Sequence, residues 1–64
     1  MSLQEIKDKI DGYHSQQADG YLSAGDCGDA IGDLIGRPDG PNASIYDQAH
    51  DYVFESYCKF GLNE

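Results

Sequence analysis

Sixty-four residues suffice for one domain, and a chain of this length buries only about 60% of the surface that its unfolded form exposes. Twelve acidic residues against four basic ones give a net charge of −8 at pH 7, which attracts cationic surfaces and repels nucleic acids and anionic membranes. No apolar stretch approaches the roughly 20 residues of a membrane span, and the acidic amino terminus is unlike a signal peptide. We therefore predict a cytoplasmic protein that does not bind nucleic acid directly.

The amino terminus predicts a first helix over about residues 2–17. Ser2 and Glu5 have the spacing of a capping box, in which side chains cap the free backbone N–H groups of the first turn. Four apolar residues then recur at helical spacing and share one face: Leu3, Ile6, Ile10 and Tyr13. Asp19 and Gly20 predict a turn, and a short β-hairpin at this point is the alternative.

A second helix is predicted to begin near Ser23 and to end before Gly36. One side carries the apolar residues Cys27, Ala30, Ile31, Leu34 and Ile35. A second side carries the glycines, Gly25, Gly28, Gly32 and Gly36. The glycines predict close packing against the backbone of a neighbouring helix, because glycine has no side chain to hold that backbone away. An irregular loop is the alternative, since each interior glycine costs about 1 kcal/mol of helix propensity relative to alanine.

Residues 37–43 contain two prolines and a glycine and predict a connector. Ser44 is then predicted to cap a third helix, with Asp47 at the third position and Gly61 ending the helix. One face is predicted to be buried and carries Ile45, Ala49, Tyr52, Val53, Ser56 and Phe60. Beside it lies an edge with Tyr46, His50, Phe54 and Tyr57. The three segments predict an all-α fold, a small three-helix domain spanning residues 1–64, and the hairpin would make it α+β.

Residues that could support catalysis or bind a metal are few. His14 and His50 lie in no recognisable nucleophile motif, and Cys27 and Cys58 do not have the spacing of zinc ligands. We therefore predict neither an enzyme nor a cofactor or metal site. Two cysteines in so short a chain are predicted to be free thiols, with one disulfide as the alternative.

Acidic residues form two rows on the predicted second and third helices. The first acidic row is Asp26, Asp29 and Asp33, and the second acidic row is Asp47, Asp51 and Glu55. Residues 19–55 carry eight acidic side chains and a single basic one, Arg37. Like charges four residues apart on a helix cost a few tenths of a kcal/mol per pair, so the rows do not stabilise the isolated fold.

Tyr46 and Tyr57 lie beside the second acidic row. Tyrosine supplies contact area at a low entropy cost, and neighbouring carboxylates bind Arg or Lys. The two rows together with these tyrosines are therefore predicted to form a partner-binding surface. A solvated face that keeps a small protein soluble is the alternative interpretation of the rows.

A very short, acidic, tyrosine-bearing helical chain with these rows resembles the small acidic phage-encoded anti-CRISPR proteins. The resemblance is one of size and charge and involves no diagnostic motif, so it transfers no residue roles. It implies a partner with a basic, nucleic-acid-binding surface, such as a CRISPR-Cas effector, in the cytoplasm of a bacterial host. The protein would inhibit that partner as a DNA mimic that occupies its DNA-binding surface.

Two other functions are weighed against this inhibitor. A small phage structural or assembly factor, or an antitoxin-like module, would bind its partner mainly through Tyr46, Phe54 and Tyr57, with little dependence on salt. A metal-binding protein would use the carboxylates instead, and a titration with metal ions would detect it. The sequence leaves the monomeric or dimeric state open.

Overall fold

Three α-helices account for most of the chain in the computed structural model, which describes residues 2–63. They are α1 (Leu3–Ala18), α2 (Ala24–Ile35) and α3 (Tyr46–Lys59), and a short 3₁₀ turn (Ala43–Ile45) precedes α3. None of the described residues lies in a β-strand. The predicted all-α fold is therefore confirmed, and the segment with Asp19 and Gly20 joins two helices and does not form a hairpin.

Serine side chains cap the first two helices; the cap at Ser2 and the start of the second helix near Ser23 are as predicted. The hydroxyl oxygen of Ser2 accepts a hydrogen bond from the backbone N–H of Glu5 at 3.2 Å, and that of Ser23 accepts one from Asp26 at 3.1 Å. Both serines have the extended backbone of an N-cap. Each bond satisfies one of the N–H groups that lack a partner inside the helix.

The predicted cap of the third helix at Ser44 is wrong. Ser44 lies inside the 3₁₀ turn, and α3 begins at Tyr46 with Ile45 as its N-cap and no side-chain capping bond. An N-cap residue needs a non-helical backbone, whereas the 3₁₀ turn has already curled the chain at Ser44. The end of α3 is as predicted, because Gly61 follows the last turn with a φ of 73°, a conformation that favours glycine.

A small apolar core lies between the three helices. Its buried members are Ile6, Ile10, Cys27, Ile31, Ile35 and Ala49. Helix α1 packs closely against both other helices, whereas α2 and α3 contact each other much less. The core is therefore organised around α1, and the space between α2 and α3 is incompletely filled.

The glycines of α2 do not pack as predicted. A Cβ atom added to Gly25, Gly28 or Gly32 would meet no atom of a neighbouring element within 4 Å, so no other helix approaches the backbone there. The segment is nevertheless a regular helix, which excludes the alternative of an irregular loop. The apolar side of the helix explains this, because Cys27, Ile31 and Ile35 are buried in the core and stabilise α2 despite its glycines.

Candidate functional site

An open groove with a volume of about 330 Å³ lies between α2 and α3. Helix α2 provides one wall with what we call the glycine edge, namely Gly28, Gly32 and Gly36. Helix α3 provides the other wall with the aromatic edge, namely Tyr46, His50, Phe54 and Tyr57. We refer to this feature as the α2–α3 groove. It exists because the glycine edge presents no side chains that could fill the space toward α3.

The lining of the α2–α3 groove is mostly apolar. Cys27, Ile31 and Ile35 contribute from the core side of α2, and Val53 contributes from α3. The side chain of Phe54 stays 66% exposed, which is unusual for a large apolar residue in a chain with so small a core. The groove therefore leaves apolar surface in contact with water.

Aromatic rings form an ordered ladder along the α3 wall. The rings of Tyr46 and His50 stack with their centroids 5.9 Å apart, and His50 meets Phe54 edge to face at the same distance. These residues are four positions apart, which is the spacing at which side chains on a helix become neighbours. The rings therefore form a continuous aromatic strip along this wall.

Helical spacing places the two acidic rows beyond the edges of the groove, on the solvent side of α2 and α3. Each residue advances by about 100° around a helix. On α2, the first acidic row therefore follows the glycine edge on the side away from the core. On α3, the second acidic row follows the aromatic edge in the same way. All six carboxylate residues are exposed, and none of them lines the groove itself.

The carboxylates of the two rows have no basic partner within residues 2–63. The salt bridges of this region join Arg37 to Asp39 at 3.6 Å and Lys59 to Asp11 at 3.2 Å. Lys7 lies 5.0 Å from the centre of the Tyr52 ring. The six negative charges of the two acidic rows are therefore free to interact with a cation from outside.

A buried polar network lies beneath one end of the groove. The hydroxyl of Ser56 donates to Asp11 at 2.7 Å, and the hydroxyl of Tyr52 donates to the same carboxylate at 2.9 Å. The Nδ1 atom of His14 lies 2.7 Å from the Ser56 oxygen. Because the single Ser56 proton is given to Asp11, Nδ1 of His14 must carry a proton and donate it to Ser56. The network thus fixes the histidine tautomer.

The surroundings shift the pKa values of this network. Burial lowers the pKa of His14 below its ordinary value, and the nearby Asp11 charge only partly opposes this effect. Burial would raise the pKa of Asp11, but the hydrogen bonds from Ser56, Tyr52 and Lys59 outweigh it and hold that pKa low. Asp11 is therefore ionised and His14 neutral near pH 7.

Ser56, His14 and Asp11 do not have the arrangement of a nucleophilic triad. In such a triad the histidine accepts the serine proton, whereas here Ser56 gives its proton to Asp11 and accepts one from His14. Ser56 is also fully buried, so a substrate could not reach its oxygen. The network joins α1 to α3 and is structural.

Both cysteines are free thiols, as the sequence predicts, and the disulfide alternative is excluded. Cys27 is buried against the groove and Cys58 is exposed on α3. Burial raises the pKa of the Cys27 thiol, which keeps it protonated and unreactive at neutral pH.

Within residues 2–63, no three His, Cys, Asp or Glu side chains lie close enough together to hold a metal ion. In the same part of the chain, no helix has both the length and the apolar character needed to cross a membrane. Comparison with known proteins found no matching family model, no similar curated protein and no similar solved structure.

The residues of the predicted binding surface occupy two kinds of position. The six carboxylate residues are exposed, and Tyr46 and Tyr57 are half-buried in the groove wall. Sequence reasoning did not find the groove itself or the burial of His14. A signal for His14 was present, because it continues the spacing of four residues set by Ile6 and Ile10, which are both buried.

Proposed function

We propose that this chain is a non-catalytic binding protein that recognises a positively charged surface of a partner protein. The observation that carries the proposal is the pair of acidic rows, whose six exposed carboxylates have no basic partner in the described chain. These charges repel one another in the free protein. A cationic partner would relieve that repulsion, so binding has an electrostatic driving force.

Charge complementarity of this kind acts mainly on the rate of association and on the choice of partner. Single exposed ion pairs contribute only about 0.2–1 kcal/mol each. A net charge of −8 on so small a molecule also steers a basic partner toward the rows and discriminates against acidic ones. Binding should therefore be fast and should weaken as salt rises.

A basic surface that holds nucleic acid is the partner class that we favour. Such a surface positions Arg and Lys side chains for phosphate oxygens, and carboxylates can accept hydrogen bonds from the same donors. The protein would then inhibit its partner by excluding DNA as a mimic of it. The general resemblance to anti-CRISPR proteins places a CRISPR-Cas effector in the bacterial cytoplasm among the candidates.

A module that binds mainly through apolar contacts, such as a phage assembly factor or an antitoxin, is the second candidate. The 66% exposure of Phe54 on the groove wall favours it. Salt separates the two functions, because apolar binding varies little with ionic strength whereas charge-driven binding weakens.

The decisive experiment replaces the second acidic row with serine, as the triple variant Asp47→Ser, Asp51→Ser, Glu55→Ser. Partners captured from bacterial lysate by the wild-type protein are purified, and their binding to each variant is titrated at low and high salt. We expect the triple variant to lose binding by roughly tenfold or more while keeping its helical circular dichroism spectrum.

A matched control is Asp8→Ser, Asp19→Ser, Asp39→Ser. It changes the net charge equally at three exposed positions outside both rows. The control should retain most of the wild-type affinity. Undiminished binding by a folded second-row variant, or equal losses in the two variants, would contradict a role for the rows. Competition between the protein and duplex DNA for the captured partner would then separate a DNA mimic from other binding modes.

A further inference from the structure

We propose that the α2–α3 groove is the docking site for a basic, amphipathic α-helix of the partner. The inference rests on the proposed function and adds to it the kind of element that is bound. The apolar face of the partner helix would lie in the groove, and its Lys and Arg side chains would reach the acidic rows on α2 and α3.

The chemistry of the groove favours a helix over an extended peptide. Both walls are helices, so their interior backbone groups already have partners, and no open strand edge is available in residues 2–63. An extended peptide would leave its backbone N–H and C=O groups without hydrogen bonds in a mostly apolar groove, which is costly. A helix satisfies these groups internally and presents only side chains.

The length of the groove sets the length of the occupant. The aromatic edge runs from Tyr46 to Tyr57, which corresponds to about 16 Å at 1.5 Å per residue. A partner helix of about three turns covers that distance and would place apolar side chains at positions i, i+3 or i+4, and i+7. With α1, α2 and α3, it would complete a four-helix arrangement.

The glycine edge allows the partner helix to approach closely. No atom of another element lies within 4 Å of the positions that Cβ atoms would occupy at Gly28 and Gly32. An incoming side chain can therefore contact the α2 backbone directly, and Phe54 on the opposite wall supplies an exposed ring. This open edge explains why α2 keeps glycines that lower its helix propensity.

Charge decides which helix fits. The helices on both sides of the groove carry six exposed carboxylates without basic partners in the described chain, so a helix with acidic flanks would be repelled. A second copy of this chain, with its own net charge of −8, would place its acidic rows against these carboxylates. The occupant is therefore a basic helix from a different protein.

The probes are three synthetic peptides of about 14 residues, which is four helical turns. The first has Leu on one face and Lys elsewhere. The second has the same composition in an order that leaves no apolar face, and the third keeps the apolar face but has Glu in place of Lys. Binding is measured by fluorescence anisotropy, and backbone amide shifts in NMR spectra locate the site.

Gly28→Leu is the blocking variant, because a Cβ atom at this position meets no neighbouring atom within 4 Å and the rest of the leucine side chain would occupy the groove that Gly28 lines. Gly25→Leu is the matched control, since Gly25 lies on the same helix with equal space around it but does not line the groove. Neither variant should lower the melting temperature, as both replace glycine in a helix. If Gly28→Leu does not fold, Gly32→Leu makes the same test.

We expect the basic amphipathic peptide to bind roughly tenfold or more tightly than the reordered peptide, with amide shifts along the groove. Gly28→Leu should weaken its binding by a similar factor, whereas Gly25→Leu should not. The inference is overturned if the two basic peptides bind equally, or if a folded Gly28→Leu protein binds like the wild type.

Failure of the proposed function gives a different pattern. In that case the second-row triple serine variant binds the basic peptide as tightly as the wild-type protein does, while Gly28→Leu still blocks it. That result would contradict the claim that the docked helix is basic. If instead the triple variant loses binding and Gly28→Leu does not weaken it, the proposed function stands and the groove is not the docking site.

Discussion

His14 shows how a single buried polar residue can link the helices. Its ring is only 2% exposed, donates to Ser56 across the α1–α3 interface, and meets Tyr57 edge to face with centroids 5.7 Å apart. A buried hydrogen-bonding group without a partner costs about 1–3 kcal/mol. Here the Nδ1–H group of His14 has Ser56 as its partner, and Ser56 in turn donates to Asp11. The neutral form of the histidine is the one that fits.

Stability should therefore depend on pH through His14. Because burial holds the pKa of His14 below 6.5 in the folded state, the unfolded chain binds a proton more readily, and the free energy of unfolding falls as pH drops below that value. We expect the melting temperature of the wild-type protein to fall relative to that of His14→Leu between about pH 7 and pH 5. Thermal unfolding followed by circular dichroism measures the difference.

Subtracting the melting temperature of His14→Leu from that of the wild type at each pH removes the contribution of the carboxylates that both proteins share. His50→Gln is the control, because it removes a histidine that is exposed on α3 and lies outside the hydrogen-bonded network of His14, Ser56 and Asp11. A constant difference between the wild type and His14→Leu over this pH range would contradict the assigned role of burial.

The helices differ in whether a side-chain capping hydrogen bond fixes their first turn. Ser23 caps α2 with a side-chain hydrogen bond at 3.1 Å, whereas Ser44 lies in the 3₁₀ turn and caps nothing. Both serines are exposed, so the pair isolates the contribution of the cap.

Ser23→Ala should destabilise the fold by about 1 kcal/mol, which lowers the melting temperature of a domain of this size by about 4–8 °C. Ser44→Ala should change the free energy of unfolding by less than about 0.5 kcal/mol. Urea unfolding of the two variants beside the wild type provides the measurement. A cost for Ser44→Ala equal to that for Ser23→Ala would mean that α3 begins earlier than described.

The same contrast explains what the sequence could and could not predict. The starts of α1 and α2 depend on a serine and the N–H group three residues later, so they can be recognised locally. The start of α3 depends on the 3₁₀ turn that follows the prolines, and the capping pattern at Ser44 was misleading.

The α2–α3 groove depends on how far apart two helices lie, and neither helical periodicity nor composition contains that distance. The glycines of α2 therefore suggested contact where the structure has open space.

The positions of the acidic rows, by contrast, followed from helical spacing alone. Once α2 and α3 exist as helices, their carboxylates must lie opposite the buried apolar residues. What the sequence could not provide was the relation of the rows to each other, because that relation depends on how α2 and α3 pack on α1. The partner-binding role predicted for Tyr46 and Tyr57 stays a prediction, and their place in a groove wall was not predictable.

The stability of the whole molecule depends on two opposing contributions, a small apolar core that favours folding and a large net charge that opposes it. Six apolar residues are buried within residues 2–63, and the net charge of −8 opposes the compact state. The two salt bridges of the described chain involve exposed or partly exposed groups, and such pairs contribute at most about 1 kcal/mol each. Repulsion among unpaired carboxylates should therefore outweigh attraction.

Added salt should accordingly stabilise the protein. Raising sodium chloride shortens the screening length from about 30 Å at 0.01 M to about 8 Å at 0.15 M, which weakens repulsion between the rows more than it weakens the two salt bridges. We expect the melting temperature to rise with salt. In Asp26→Asn, Asp29→Asn, Asp33→Asn the rise should be smaller, and the melting temperature at low salt should be higher. A melting temperature that falls with added chloride would contradict this balance.

The loose packing of α2 on α3 also bears on how long the protein survives in a cell. A ligand that binds only the folded state stabilises it by about 2.7 kcal/mol when present at 100 times its dissociation constant. A chain with so small a core would gain much from a helix in its groove, whereas an unoccupied copy would unfold more often and meet proteases in that state. Under the proposed docking, copies made in excess of the partner would be cleared first, so the abundance of the protein would follow that of the proposed partner.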